Sequence, residues 1–337
     1  MIDPTKIEKI LLRMPNWIGD VVMATSILPE VRKRCPKAKI TLLCKYPQQD
    51  LLKFNPYIDK VESFTKETKQ AILKKLKKEK FDLGILTTNS FSSAWDFFRL
   101  QIKYRVGFAT DFRTLLLTHP VKKDLKIQKQ HLVKTYHKLI AQDALASCGP
   151  LLFTHPKEQV EVDDFLRKIG EDPATAFFGI NPGAAYGSAK CWMPERFKEV
   201  IQGLHVLYPQ YKFLVFGDFS AQKIAKKITE GLETFAVDLT GKTSLRLLVL
   251  LLKRCKAVLT NDSGPMHIAD SLRVPVVALF GSTDPLVTGP FYTKQVVSKQ
   301  VACAPCFLRT CPIDFKCMQE ISSEEVINKI KTLLVTC

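Results

Sequence analysis

No apolar run in this 337-residue chain approaches the ~20 residues that cross a bilayer; the longest is residues 247–252. The N-terminus places Asp3, Pro4 and Glu8 where a secretory signal would carry its basic flank, and Arg13 interrupts the apolar stretch behind them. A soluble, cytoplasmic protein is the expectation. With only 15 glycines and 19 prolines against 46% hydrophobic residues, the composition is plainly globular, and the length allows two domains that each bury a core. Acidic side chains are scarce, 33 against 50 Lys and Arg, which leaves a formal charge of +17. Such an excess calls for an anionic partner. Nucleic acid would be attracted, but no recognisable nucleic-acid module is present and the aromatics do not interleave with the basic clusters, which argues against it.

The densest basic run, Lys74-Lys75-Leu76-Lys77-Lys78-Glu79-Lys80, sets Ile72, Leu73 and Leu76 on one helical face and lysines on the rest. It reads either as a solvated surface helix or as a surface that settles on anionic lipid headgroups. Elsewhere strand-length apolar runs alternate with helical stretches. Residues 7–13, 39–44 and 81–87 read as strands, separated by helices near 20–34 and 66–80, and a long helical stretch covers roughly 127–147. After Cys148-Gly149-Pro150 and the acidic turn Gly170-Glu171-Asp172-Pro173, further strands follow at 176–180, 212–216, 257–260 and 274–280. This rhythm predicts an α/β fold of two doubly wound, Rossmann-like domains joined between about residues 149 and 173. The expected bounds are 1–160 and 174–320, with a C-terminal helix over 321–337.

Ligands on such sheets lie beyond the carboxyl ends of the strands, and two of these ends carry distinctive chemistry. Leu259-Thr260-Asn261-Asp262-Ser263-Gly264-Pro265-Met266-His267-Ile268-Ala269 runs from an apolar strand through a polar turn into a helix start. Ser263 and Gly264 supply cap and turn chemistry, and Pro265 suits the first helical position. Backbone N–H groups and the positive end of a helix dipole then converge on one spot, ready for a phosphate or diphosphate, with Asp262 and His267 beside it. An ordinary strand-turn-helix joint would read the same way. Upstream, Ile180-Asn181-Pro182-Gly183-Ala184-Ala185-Tyr186-Gly187-Ser188-Ala189-Lys190-Cys191-Trp192-Met193-Pro194 repeats the design, with Lys190 placed to meet an anion.

Together the two segments resemble the donor-site motifs of the ADP-heptose:lipopolysaccharide heptosyltransferases, glycosyltransferase family 9, most closely their heptosyltransferase II branch. Pro15-Asn16-Trp17-Ile18-Gly19-Asp20-Val21, Thr88-Asn89-Ser90-Phe91-Ser92-Ser93-Ala94, Arg105-Val106-Gly107, Phe216-Gly217-Asp218, Asp238-Leu239-Thr240-Gly241 and Leu279-Phe280-Gly281 extend the likeness along nearly the whole chain. Each is weakly specific; the ordered set is strong.

The resemblance implies a GT-B architecture, two Rossmann-like domains facing across a cleft. It implies an inverting transfer of heptose from ADP-heptose to the inner-core Kdo/heptose–lipid A acceptor, by a protein peripheral to the inner face of the cytoplasmic membrane with its anionic surface as partner. Asp20 would be the general base, although an Asp at a helix start also serves as an N-cap. Lys190, the N–H groups around Ser263 and Gly264, and His267 would stabilise the departing diphosphate. Gly183 belongs to the donor loop, Asp262 would orient the donor sugar or that loop, and Asp218 would hold ribose hydroxyls. Asn16, Trp17, Asn89, Ser90 and Arg105 are the candidate acceptor contacts, with Ser93 and Arg113 beside them; Trp17 reads equally as a core residue. The chain has no Asp-x-Asp motif after a strand, so no cofactor is expected for catalysis. The alternatives are transfer of a different nucleotide-linked sugar and a non-catalytic basic protein that binds anionic lipid or nucleic acid.

Six of the ten cysteines, Cys35, Cys44, Cys148, Cys191, Cys255 and Cys337, are scattered and read as buried thiols. The others cluster as Cys303, Cys306, Cys311 and Cys317. One CxxC and two further thiols suit reduced cysteines, a structural zinc or disulfides, and the second half lacks the CxxC spacing of a strong metal site.

Overall fold

The computed structural model describes residues 2–122, 130–141 and 148–336, and the chain divides into two compact units, Met1–Phe153 and Thr154–Cys337. In the first, β1 (Lys9–Arg13), β2 (Lys39–Lys45), β3 (Lys60–Phe64), β4 (Leu83–Leu86), β5 (Tyr104–Phe108) and β6 (His119–Val121) form one parallel sheet in the order β3-β2-β1-β4-β5-β6. Its helices are α1 (Ile18–Ala24), α2 (Leu28–Arg34), α3 (Lys69–Lys77), α4 (Phe91–Arg99) and α5 (Leu132–His137). The central strands are continuous apolar runs, as a parallel sheet covered on both faces requires. Leu73 and Leu76 of α3 and Ala94 and Phe97 of α4 pack into a core with Leu11, Leu43 and Leu86. Each buried leucine or phenylalanine contributes about 1.5–3 kcal/mol. Gly84 makes the approach of α4 possible: a Cβ there would stand 2.6 Å from the Phe97 ring.

The single helix expected near 20–34 is two, α1 and α2, with a 3-10 turn, Thr25–Ile27, between them. Thr25 and Ser26 turn their hydroxyls back onto the carbonyls of Val22 and Met23 at 2.6 and 2.7 Å, and Pro29 has no N–H to continue the ladder. Of the helix expected over 127–147, the described residues hold only α5, which gives way to a turn at 138–140; residues 127–129 and 142–147 lie outside the described residues.

The second unit repeats the topology. β7 (Ala176–Asn181), β8 (Tyr211–Val215), β9 (Ala236–Asp238), β10 (Cys255–Asn261), β11 (Val276–Phe280) and β12 (Val296–Ser298) are parallel in the order β12-β11-β10-β7-β8-β9, the first sheet's order read from its other edge. Its helices are α6 (Gln159–Lys168), α7 (Pro194–Leu207), α8 (Gln222–Thr229), α9 (Leu245–Arg254), α10 (Gly264–Ser271), α11 (Pro285–Thr288), α12 (Lys316–Gln319) and α13 (Ser323–Thr336). The terminal α13 packs on α7 and places Val326, Ile330 and Leu333 in the same core as Ile201 and Leu204. Two Rossmann-like sheets in one chain are the composition of the GT-B glycosyltransferases. Strand order reverses between β1 and β4 and again between β7 and β10, and these two switch points are where a doubly wound sheet opens a ligand crevice. Among the described residues no helix is long and apolar enough to cross a membrane.

Candidate active site

At the first switch point the chain leaves β1 through Arg13, which is buried and held near a pKa of about 10 by that burial. Its guanidinium donates to Asn16 Oδ1 at 2.8 Å, while Gln48 Nε2 donates to the Asn16 carbonyl at 2.6 Å, so Asn16 is pinned from two sides. Trp17 occupies the N-cap position of α1 and is 50% exposed, which removes the reading of it as a core residue. Asp20 stands in the first turn of α1 and is not the N-cap, so the capping alternative falls as well. Beyond β4, Thr88 Oγ1 donates to Ser93 Oγ at 2.7 Å and Ser93 Oγ to the Ser90 carbonyl at 2.7 Å, while Thr110 Oγ1 donates to the Asn89 carbonyl at 3.2 Å.

These two strand ends and α5 enclose a pocket of about 210 Å³ whose lining includes Asn16, Trp17, Asp20, Asn89, Ser90 and Tyr136. Tyr136 had no signal in the sequence. It is buried, and burial together with the negative charge of Asp20 pushes its phenol well above the ordinary tyrosine range. Arg105 does not join this group: it sits near the start of β5, donating to the carbonyls of Ile102 and Leu116 at 2.5 and 2.7 Å, and lines a different groove. Arg113 is fully buried, donating to the Phe108 carbonyl at 2.8 Å and reaching the Ser90 carbonyl at 3.5 Å. It supports the pocket wall rather than offering a guanidinium to a ligand.

At the second switch point Asn181 and Asn261, the last residues of β7 and β10, tie the two loops together. Asn181 Nδ2 donates to Ser263 Oγ at 2.9 Å, Thr260 Oγ1 at 3.1 Å and the Gly183 carbonyl at 3.1 Å. Asn261 accepts from the Trp192 N–H at 3.1 Å and donates to the Pro182 carbonyl at 2.7 Å. Because Asn181 engages the Ser263 hydroxyl, Ser263 holds the N-cap position of α10 without a side-chain capping bond. The amide donors of that first turn are left for an anion. Lys190 forms an ion pair with the buried Asp262 carboxylate, which also accepts from Thr283 Oγ1 at 2.6 Å. The Lys190 ammonium lies 4.8 Å from the centre of the Tyr186 ring, and His267 is buried in α10. Asp218, at the end of β8, accepts from the Ser220 N–H at 2.9 Å and is exposed.

The sequence profile of glycosyltransferase family 9 (heptosyltransferase) matches residues 70–316. This chain belongs to that family. A lipooligosaccharide heptosyltransferase 2 of Haemophilus influenzae is 30% identical over 312 residues, covering 87% of this chain and 88% of the relative. The lipooligosaccharide heptosyltransferase 2 of a Campylobacter jejuni strain is 30% identical over 336 residues, covering 97% and 98%. The solved Escherichia coli ADP-heptose lipopolysaccharide heptosyltransferase II superposes with a TM-score of 0.84 at 25% identity, over 97% of this chain and 99% of that one. The chain is thus a glycosyltransferase of the heptosyltransferase family.

In this heptosyltransferase the cysteine tail supports the Lys190 loop. Tyr186 Oη donates to the Phe307 carbonyl at 2.9 Å, the Ala189 N–H donates to the Arg309 carbonyl at 3.0 Å, and the Arg309 guanidinium lies 5.2 Å from the Tyr186 ring centre. Cys303 is exposed, Cys306 and Cys311 are half-buried and Cys317 is buried, its thiol pushed up by burial and by the three other cysteines. Four sulfur donors suit zinc in kind. Among the described residues no group of three or more His, Cys, Asp or Glu stands in metal-holding geometry.

Proposed function

We propose that the chain is an inverting transferase that moves heptose from ADP-heptose to a lipopolysaccharide inner-core acceptor. The observation that carries the reading is the second switch point, where Lys190, Asp262 and the uncapped start of α10 converge. A nucleoside diphosphate gains negative charge as the glycosidic bond breaks, and an ammonium beside oriented amide donors is what stabilises it. His267 adds a further donor from the same helix.

Asp20 takes the proton from the acceptor hydroxyl as that oxygen attacks the anomeric carbon opposite the departing diphosphate. Asn16, Asn89 and Ser90 hold acceptor hydroxyls and Trp17 offers a ring face to a sugar. Asp218 stays assigned to ribose, and Gly183 to the loop that the diphosphate approaches. No cofactor takes part in the chemical step. The acceptor's lipid brings the protein to an anionic membrane surface as a peripheral partner.

A thermal-shift titration with ADP, UDP, GDP and CDP, with and without EDTA, followed by a mass-spectrometric transfer assay with ADP-heptose, tests this. Stabilisation selective for ADP and indifferent to EDTA, with heptose added to the acceptor, is expected. A shift selective for UDP, GDP or CDP would move the reading to another nucleotide sugar, and no shift in a folded protein would remove the donor site.

A further inference from the structure

Helix α4 turns aromatic side chains outward, where a surface helix normally carries polar ones. Phe91, Trp95 and Phe98 recur at helical spacing and are 48%, 43% and 45% exposed. Phe91 stacks on Trp95 with ring centres 6.4 Å apart, and Trp95 on Phe98 at 5.6 Å. The opposite side of the helix already supplies Ala94 and Phe97 to the core, so the stripe is a second apolar face. At its C-terminal end Phe98 borders a groove of about 550 Å³ lined by Lys77, Arg99, Lys103 and Arg105. None of the described residues lining the groove is acidic, and Asp96 of α4 is buried and paired with Lys69 at 2.7 Å. At its other end the helix begins directly after Ser90, a wall of the pocket that holds Asp20. The neighbouring segment, bonded to the carbonyls of Asn89 and Ser90 through Thr110 and Arg113, carries Phe112 and Leu115 at 97% and 94% exposure.

We propose that this α4 face docks on an anionic bilayer, its aromatic rings entering the headgroup–acyl boundary while Lys77, Arg99 and Lys103 hold phosphate headgroups. Charge complementarity selects that occupant: an apolar stripe rimmed by cations is the pattern of interfacial membrane helices. A second copy of the chain, docked face to face, would set these cations against themselves. Nucleic-acid bases need free ring faces, and here the rings cover one another at interplanar angles of 13° and 21°. A nine-residue helix is about 13 Å long. The membrane would therefore lie within about that distance of Ser90, near a lipid-borne sugar; this last consequence rests on the acceptor proposed above, whereas the docking does not.

Flotation of the full chain with vesicles of mixed phosphatidylglycerol and phosphatidylcholine, against phosphatidylcholine alone, tests the face. Wild type should float with the anionic vesicles, more weakly at high salt. Trp95→Ser/Phe98→Ser, and separately Lys77→Gln/Arg99→Gln/Lys103→Gln, should lose about tenfold or more in affinity. A blue shift in tryptophan emission on binding should disappear in Trp95→Phe. All variants should keep wild-type stabilisation by ADP, which reports the donor site independently of the face. The inference fails if wild type does not float, if both multiple variants float as well as wild type, if single-stranded DNA binds in place of vesicles, or if the substitutions abolish a dimer while leaving flotation unchanged. Flotation with the expected losses but no ADP stabilisation would leave the face standing and overturn the transferase reading.

Discussion

The Lys190 ammonium is paired with the Asp262 carboxylate across 72 residues of sequence, at the place where β7 and β10 end side by side. Asp262 is almost fully buried, and Thr283 supplies its second donor at 2.6 Å. The lysine charge is therefore held in place before any ligand arrives, which is the preorganisation that the proposed diphosphate site needs. Lys190→Met should lower kcat by about 10²–10³, the effect of removing one such donor. It should also lower the melting temperature, because the buried carboxylate loses its cation. Lys190→Arg should recover part of the rate. Steady-state kinetics with ADP-heptose beside thermal melts would show it; a Lys190→Met enzyme with full kcat would remove the assignment.

Asp20→Asn should reduce turnover by about 10²–10⁴ while leaving ADP stabilisation intact, because Asp20 lies in the first unit and the residues proposed for the diphosphate in the second. Tyr136 answers a different question. Burial and the Asp20 charge keep its phenol protonated past the ordinary tyrosine value of about 10, so it contributes no alkaline limb to the rate below that pH. Tyr136→Phe should change the rate without changing the alkaline side of the pH profile. An alkaline limb in wild type that disappears in Tyr136→Phe would contradict the assignment.

The central strands β1, β2, β4, β7, β8, β10 and β11 were legible because a parallel strand covered on both faces is a continuous apolar run, as in Phe-Phe-Gly-Ile of β7. The edge strands were not. β9 and β12 have three residues each, too short for any period, and β3 mixes Lys60 and Glu62 with its apolar positions. The loops at the switch points were readable as motifs, but their internal wiring was not. Asn181 and Asn261 bridge strands about 80 positions apart, and nothing local in either loop states that Asn181 would take the Ser263 hydroxyl away from capping. Arg105 looked like a site residue for want of one fact, which end of β5 it occupies.

Two glycines of the donor loop should behave oppositely. A Cβ on Gly187 would fall 2.2 Å from the Arg309 carbonyl oxygen, the same oxygen that accepts from Ala189. Gly187→Ala must push the tail off the loop, and Lys190, three residues on, moves with it. A Cβ on Gly183 meets only Ala221 at 3.5 Å, an ordinary contact. Gly187→Ala should lower both the melting temperature and ADP affinity, and Gly183→Ala should leave stability near wild type. Equal loss of stability in the two would mean that the tail yields easily.

Glu62 gives the first unit an acid-sensitive joint. It is buried in β3, and although burial pushes its carboxyl up, hydrogen bonds from Lys75 and Lys60 and their charges bring it below the ordinary glutamate value. A carboxyl with a depressed folded-state pKa stabilises above its unfolded value, about 4.3, and loses that contribution as pH falls through the folded value. Glu62→Gln should therefore cost about 1 kcal/mol at pH 7, since both lysines are partly exposed, and the difference should vanish in strong acid. Urea melts at pH 7 and in strong acid give the comparison, and a difference that grows on acidification would reverse the sign argued here.

The cysteine tail offers a chemical readout of the Lys190 loop. The exposed Cys303 should alkylate first and Cys317 last, because burial and the neighbouring thiols disfavour the Cys317 thiolate that would react. Modification of Cys303 alone should spare ADP binding. Modification of Cys306 or Cys311 should weaken it, because Phe307 and Arg309 between them hold Tyr186 and Ala189 through main-chain carbonyls. Mass-spectrometric footprinting with and without ADP resolves the order, and bound ADP should slow the reaction at Cys306 and Cys311. Among the described residues no three metal-ligating side chains stand in metal-holding geometry, and well under one equivalent of zinc in the purified chain is the expected outcome. One equivalent of zinc that shields all four cysteines until a chelator is added would mean instead that the tail closes around a metal, and ADP affinity should then fall with the metal's removal, through the same two carbonyls.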